Sequence, residues 1–151
     1  MADNQLFILL SDDDKDDCFF FEKALEELRV PAQLFAVHDG DQLMQFLTKN
    51  SDVLPHALFL DLNMPRKNGF ECLTEIKQNH KLSQLPIFIF STSFDQDIVN
   101  LLYKKGVQYY ILKPPEFSQL KNVISQALSI IAKHDLIQPS KEQFVLTGNQ
   151  A

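Results

Sequence analysis

Short apolar runs alternate with longer amphipathic stretches along most of this sequence, and that alternation limits what the chain can fold into. The apolar runs fall at residues 6–10, 34–37, 57–60, 87–90 and 109–112. Apolar residues at helical spacing follow each run, as with Phe21, Ala24 and Leu25 after the first. The alternation predicts an α/β fold in which a five-stranded parallel sheet carries helices on both faces. The usual strand order for such a sheet is 2-1-3-4-5, the flavodoxin-like arrangement.

The strand and helix patterns end near Lys133, which predicts one domain over residues 1–133 and a C-terminal tail over residues 134–151. The tail is more apolar than a disordered segment usually is. Its apolar residues are Leu136, Ile137, Phe144, Val145 and Leu146. We therefore expect the tail to fold back onto its own domain. The alternative is a homodimer of C₂ symmetry, formed through the last helix and the tail.

The composition argues against several classes of function. The net charge of −6 and the lack of a basic cluster disfavour binding to nucleic acid or to an anionic membrane. No apolar run approaches the length of a transmembrane helix, and the N-terminal residues do not resemble a signal peptide, so we expect a cytoplasmic protein. The two cysteines, Cys18 and Cys72, form neither a zinc pattern nor a disulfide framework and are expected to be free thiols.

Polar side chains follow most of the predicted strands, at the point where each strand ends. Because ligands of open parallel sheets bind at the carboxyl ends of the strands, we expect these side chains to share one site. The side chains in question are Asp12 and Asp13 after strand one, Asp61 after strand three, Ser91 after strand four and Lys113 after strand five. His38 and Asp39 follow strand two, but we leave them out of the site because that strand lies at the sheet edge in the proposed order.

The charges of this set predict a magnesium site with a nucleophilic carboxylate. Asp12, Asp13 and Asp61 carry a charge of −3 when ionised, and such crowding is unstable without cations. A divalent cation and Lys113 together neutralise it, and hard oxygen ligands favour Mg²⁺. A carboxylate in such a site can form an aspartyl phosphate. The three phosphoryl oxygens would then be contacted by Mg²⁺, by the Lys113 ammonium, and by the Ser91 hydroxyl with nearby backbone N–H groups.

Each of these residues taken alone has an ordinary structural explanation. Acidic residues after a strand often begin a helix, because they match the helix dipole. An aspartate is common in turns, and Ser91 in the sequence Ser-Thr-Ser could cap the next helix. Only the combination, with every group at the same edge of the sheet, indicates phosphoryl chemistry.

The chain resembles the receiver domains of bacterial two-component systems over roughly residues 6–133. The matching stretches are FILLSDDDKDD, ALFLDLNMPRKNGFECL, IFIFSTS and YYILKPP. A more detailed resemblance is to single-domain regulators that serve bacterial phytochromes and hybrid kinases. The resemblance implies phosphorylation by a sensor histidine kinase or a phosphotransfer protein, and a signalling domain rather than a turnover enzyme.

The resemblance also implies a role for each matching residue. Asp61 would be the phosphoacceptor, Asp12 and Asp13 the acid pair that binds the metal, and Lys113 a contact to the phosphoryl group. Asn63 would offer its backbone carbonyl to the metal. Ser91 and Tyr110 would form the switch, in which the Tyr110 ring enters space that Ser91 vacates after phosphorylation. The Lys113–Pro114 peptide bond is expected to be cis, as in relatives.

Other functions fit the sequence less well. A flavodoxin-like nucleotide binder needs N–H donors after strand one, where this chain has an acidic loop. A phosphatase of the haloacid-dehalogenase type needs a second aspartate where this chain has Asn63. The remaining alternative is a receiver-like interaction module that is never phosphorylated. We expect no DNA-binding output module, since the tail is short and its basic residues are not clustered.

Overall fold

The computed structural model describes residues 5–133 and 137–148. Each of the five apolar runs overlaps one of its strands. The strands are β1 (Leu6–Ser11), β2 (Ala32–Val37), β3 (Ala57–Leu60), β4 (Ile87–Ser91), β5 (Tyr109–Leu112) and β6 (Val145–Leu146). The α-helices are α1 (Lys15–Leu28), α2 (Gly40–Lys49), α3 (Gly69–Gln78), α4 (Gln96–Lys104) and α5 (Phe117–Ala132). Among the helices described, none is long and apolar enough to cross a bilayer.

The strands form one parallel sheet in the order β2-β1-β3-β4-β5-β6. The predicted order of the first five strands and the flavodoxin-like class are confirmed. The predicted count of five is wrong, because the tail adds β6 beside β5. A two-residue strand has too few positions to give an alternating pattern, so its sequence carries no strand signal of its own.

Two apolar layers hold the sheet, one on each face. Alternate strand residues such as Leu9 and Leu58 face the layer shared with α2, α3 and α4. Their neighbours, such as Phe59 and Phe88, face α1 and α5. Phenylalanines fill much of this second layer, where the Phe21 ring contacts the Phe59 ring edge-on at a centroid distance of 5.0 Å. The strands are therefore fixed in position from both sides.

The described part of the tail packs against its own domain, which agrees with the expectation that the tail folds back. The Gln138 side-chain amide donates to the carbonyls of Tyr103 and Val107, each at 2.7 Å. Phe144 is buried, and its carbonyl accepts a 3.0 Å hydrogen bond from the Tyr110 backbone N–H. Leu136 lies outside the described residues. The tail thus covers the open edge of β5.

Candidate functional site

Three carboxylates meet where β1 and β3 end. The two strands are neighbours, and the Asp61 N–H donates to the Ser11 carbonyl at 2.9 Å, so the residues that follow them lie side by side. One carboxylate oxygen each from Asp12, Asp13 and Asp61 can be chosen so that all three lie within 4.8 Å of one another. The structure therefore brings together the three acids that the sequence analysis selected.

Burial differs within this acid cluster. Asp12 is fully buried and Asp61 is 7% exposed, whereas Asp13 is exposed to solvent. Burial raises the pKa of Asp61 to about 7; the positive charge of Lys113 opposes the rise and the negative charge of Asp12 adds to it. Burial likewise raises the pKa of Asp12, against the hydrogen bond from Lys113. Ionising both buried acids is therefore costly until cations compensate them.

Lys113 supplies the one ammonium that contacts the acid cluster among the described residues. Its Nζ donates to Asp12 Oδ2 at 2.6 Å and lies 3.9 Å from Asp61 Oδ2. It also donates to Asp17 Oδ2 at 2.7 Å. Burial on its own would lower the pKa of Lys113, but the hydrogen bonds to Asp12 and Asp17 outweigh burial, so the pKa is raised. The side chain is thus a fixed positive charge beside Asp61.

Asp17 is a site residue that the sequence analysis missed. It lies in the first turn of α1, and the sequence analysis selected only Asp12 and Asp13 from the acidic residues that follow β1. Asp17 and Lys113 are separated by 96 residues, so nothing in the local sequence pairs them. The two residues meet because α1 packs against α5, whose first turn follows Lys113 closely.

Ser91 and Tyr110 lie in β4 and β5, the next two strands of the sheet after β3. The Ser91 hydroxyl is buried and lies 3.1 Å from the Ser93 hydroxyl. The Tyr110 hydroxyl donates a short hydrogen bond to the Ser93 carbonyl, and 1% of the residue is exposed. The Tyr110 ring is therefore buried in this structure, and the expectation that it responds to phosphorylation stays a prediction. The Ser93 carbonyl already holds the ring in the buried position.

Two backbone expectations have different outcomes. The Asn63 N–H donates to Asp61 Oδ1 at 3.2 Å, which places this residue beside the acid cluster; the role of its carbonyl stays a prediction. The expected cis bond between Lys113 and Pro114 is wrong, because the structure has no cis peptide bond among the described residues. The trans form is the intrinsically favoured one, and Lys113 reaches both Asp12 and Asp17 with it.

Gly69 fixes the loop that follows Asp61. The Gly69 N–H donates to the Leu62 carbonyl at 2.9 Å, and a Cβ at position 69 would lie 2.5 Å from the Asp61 carbonyl oxygen. No side chain fits that space, so α3 can begin this close to the site only with glycine. Asn68 and Glu71 form a capping box that starts the helix at the same point.

The two cysteines are free thiols, as expected. Cys18 lies near the site, with its Sγ 3.6 Å from the Asp12 carbonyl. Burial, followed by the negative charge of Asp12, raises the pKa of Cys18 to about 12. Burial raises the pKa of Cys72 to about 12 as well. Thiols of this kind are not nucleophiles at neutral pH.

The donor set of the acid cluster fits a hard divalent cation. The ligand atoms available are carboxylate oxygens, with no thiolate or imidazole among the three residues that converge. Oxygen ligands of this type suit Mg²⁺ or Mn²⁺. Since Asp13 is exposed, an ion here would keep part of its water shell, which is the usual arrangement for Mg²⁺.

Comparison with known proteins gives the same family throughout. The chain matches the response regulator receiver domain family over residues 8–125. It is 32% identical to response regulator Rcp1 of Synechocystis sp. over 121 residues, which cover 78% of this chain and 82% of Rcp1. It is 34% identical to a chemotaxis protein CheY homolog of Campylobacter jejuni over 89 residues, which cover 59% of this chain and 67% of the homolog.

Two solved structures extend the comparison to the fold. The phosphorylated cyanobacterial phytochrome response regulator RcpA superposes with a TM-score of 0.76 at 31% identity, covering 90% of this chain and 99% of RcpA. The Mn²⁺-bound form of Rcp1 superposes with a TM-score of 0.73 at 29% identity, covering 89% of this chain and 99% of Rcp1. The chain therefore belongs to the response regulator receiver domain family and is a response regulator of two-component phosphorelay signalling.

Proposed function

We propose that this chain accepts a phosphoryl group on Asp61 from a phosphohistidine of a sensor kinase or a phosphotransfer protein. The observation that carries the proposal is the convergence of Asp12, Asp13 and Asp61 with the Lys113 ammonium 3.9 Å from Asp61. An Asp61 oxygen forms the new P–O bond as the P–N bond of the donor breaks, and the donor imidazole leaves with the electron pair. The protein turns over no external substrate in this step, so we class it as a signalling domain.

The chain's own residues prepare Asp61 for this step by fixing charge around it. The Asn63 N–H holds one Asp61 oxygen, and Lys113 stands beside the other. Asp12, Asp13 and Asp61 would hold Mg²⁺, with the Asn63 carbonyl as a further ligand. When bound, this ion would neutralise the carboxylates and the incoming phosphoryl oxygens. Asp61 would then be ionised and nucleophilic despite its burial.

Ser91 and Tyr110 are the proposed route by which phosphorylation is transmitted. The buried Ser91 hydroxyl belongs to a chain of contacts that runs through Ser93 to the Tyr110 hydroxyl. If the Ser91 hydroxyl turns toward a phosphoryl oxygen, its contacts with the Ser93 hydroxyl and the Ser93 N–H break, and Ser93, whose carbonyl holds the Tyr110 hydroxyl, is then less firmly placed. This is a local charge change that biases an element with two arrangements. The face formed by α4 and β5 would change as a result.

Phosphorylation at one aspartate tests the proposal. We expect the protein to take one phosphoryl group from acetyl phosphate or a phosphohistidine kinase in the presence of Mg²⁺, and none in EDTA. Mass spectrometry should place the group on Asp61, and Asp61→Asn should not be labelled. Asp52→Asn is a matched control, because Asp52 is exposed and lies before β3. If Asp61→Asn is labelled at the wild-type level, the proposal is wrong and the unphosphorylated interaction module becomes the better account.

A further inference from the structure

Lys113 is shared among three carboxylates, and Asp61 is the most distant of them. The Nζ atom lies 2.6 Å from Asp12 and 2.7 Å from Asp17, but 3.9 Å from Asp61. An ammonium has three N–H donors, so the two shorter contacts use two of them. In this arrangement the ammonium is held more than 1 Å closer to α1 than to the proposed phosphoacceptor.

Asp17 differs from the acids of the cluster in where it lies and how it is held. It belongs to the first turn of α1, and its N–H donates to Asp14 Oδ1, the N-cap of that helix, at 3.2 Å. Its side chain is 31% exposed, whereas that of Asp12 is fully buried. A carboxylate that keeps water on one side can release a cation at small cost, because solvent replaces the lost partner. Breaking the contact between Lys113 and Asp17 should therefore cost less free energy than breaking the contact between Lys113 and Asp12.

We propose that Asp17 is a positioning residue that competes with the phosphoryl group on Asp61 for the Lys113 ammonium. The proposal rests on the proposed function, since it concerns how readily the same site takes up a phosphoryl group. The charge count supports it. Asp12, Asp13 and Asp61 are balanced by Lys113 and a divalent cation, and Asp17 adds one uncompensated negative charge beside the place where a phosphoryl dianion must sit.

The opposite role is the natural alternative. Asp17 could orient Lys113 so that its third N–H faces Asp61, and the loss of Asp17 would then weaken phosphoryl binding. The charges favour competition, because Asp17 and a phosphoryl group on Asp61 are both anions that attract one ammonium, and this ammonium lies 2.7 Å from Asp17 but 3.9 Å from Asp61. The two roles predict changes of opposite sign, so one experiment separates them.

The experiment measures beryllofluoride binding in the presence of Mg²⁺, together with the rate of phosphorylation by acetyl phosphate. Asp17→Asn keeps the shape of the side chain and removes its charge. We expect about fivefold tighter beryllofluoride binding and a faster reaction, because a partly exposed charged hydrogen bond no longer competes. Asp17→Glu should stay near wild type, since it keeps the carboxylate. A weaker or slower Asp17→Asn protein overturns the proposal.

Asp16→Asn is the matched control for the overall charge of α1. Asp16 lies in the same turn and is exposed, and within residues 5–133 and 137–148 its carboxylate has no ion pair. We expect its beryllofluoride affinity to stay within about twofold of wild type, as surface charges are screened. If Asp16→Asn tightens binding as much as Asp17→Asn does, the effect is general electrostatics and the proposal is wrong.

A second measurement needs neither metal nor phosphate. In EDTA, the ¹⁵N resonance of the Lys113 ammonium should shift in Asp17→Asn and stay in place in Asp16→Asn. If it does not shift, Asp17 does not hold Lys113 in solution and the proposal fails. If the wild-type protein shows the contact between Lys113 and Asp17 but binds no beryllofluoride, both the proposed function and the proposed competition are wrong. If wild type binds beryllofluoride but Asp17→Asn binds it no better, the competition alone is wrong.

Discussion

Asp61→Asn should stabilise the protein in EDTA, although it removes the proposed phosphoacceptor. Burial raises the pKa of Asp61 from 3.8 to about 7. The folded protein therefore holds this proton to a higher pH than the unfolded chain does. As the pH rises from 3.8 to 7, the unfolded chain ionises first, and the wild-type protein loses stability throughout this interval. The loss is complete above pH 7, and an asparagine avoids it.

The pKa shift sets the size of the effect. A difference of about 3 pKa units corresponds to about 4 kcal/mol at pH 8. The asparagine amide must still share the site with the Lys113 ammonium, which lies 3.9 Å from Asp61, so the full gain is not expected. We expect about 2 kcal/mol, or a rise in melting temperature of about 5 °C for a domain of this size. At pH 5.5, in the middle of the interval, about half of the gain should remain.

Thermal melts of wild type and Asp61→Asn in EDTA at pH 8 and pH 5.5 provide the assay. Asp13→Asn is the control, because this carboxylate is exposed and its removal should stabilise the protein less. Both variants should lose Mg²⁺ affinity. If Asp61→Asn melts at or below the wild-type temperature at pH 8, the burial of an ionised Asp61 is not costly and the reasoning is wrong. A gain that is equal at both pH values would point to packing instead of ionisation.

Three further predictions concern the tail, the loop after Asp61 and the switch. Phe144→Ala should lower the free energy of unfolding by about 3 kcal/mol in urea denaturation, because the buried Phe144 ring packs the tail against the domain. Ile137→Ala is the control and should barely change the free energy of unfolding, because Ile137 is 83% exposed. Gly69→Ala should cost about 2 kcal/mol in the same assay and slow phosphorylation, because its Cβ would lie 2.5 Å from the Asp61 carbonyl oxygen. Ser91→Ala should still be labelled on Asp61 by acetyl phosphate, but hydrogen exchange around α4 and β5 should change less than in wild type on phosphorylation.

The tail contact has a second measurable consequence for oligomerisation. Light scattering on the full chain and on a version ending at Lys133 tests whether the tail also acts between copies. Because residues 137–148 pack against their own domain, we expect the full chain to be monomeric. A dimer that the shorter version does not form would show that the tail pairs with a second copy instead.

The main fold was predictable because its strands are buried on both faces. Such strands read as continuous apolar runs, and β3 and β5 lie at the residues predicted for them. The positions of Asp12, Asp61 and Lys113 followed from the strand ends, since parallel strands bring those ends to one edge. These predictions needed only local pattern and sheet topology.

The features that sequence reasoning missed depend on contacts between distant elements. β6 forms because the tail pairs with the edge of β5, where the Tyr110 N–H donates to the Phe144 carbonyl. A strand this short has no local sequence pattern that predicts it. Asp17 reaches Lys113 only because α1 packs beside the start of α5. The hydrogen bond from the Tyr110 hydroxyl to the Ser93 carbonyl has no sequence signal either, because its acceptor is a backbone group.

Because β6 follows β1 to β5 in the sequence, the sheet can be completed only late in synthesis. A ribosome releases β1 to β5 before residues 145–146 emerge, so the nascent domain has β5 as an open edge for that time. Open edges with unpaired N–H groups can pair with strands of other chains. Residues 145–146 thus close this edge only after the other five strands have been made, and translation that stops before them leaves a sheet whose β5 edge can pair with another chain.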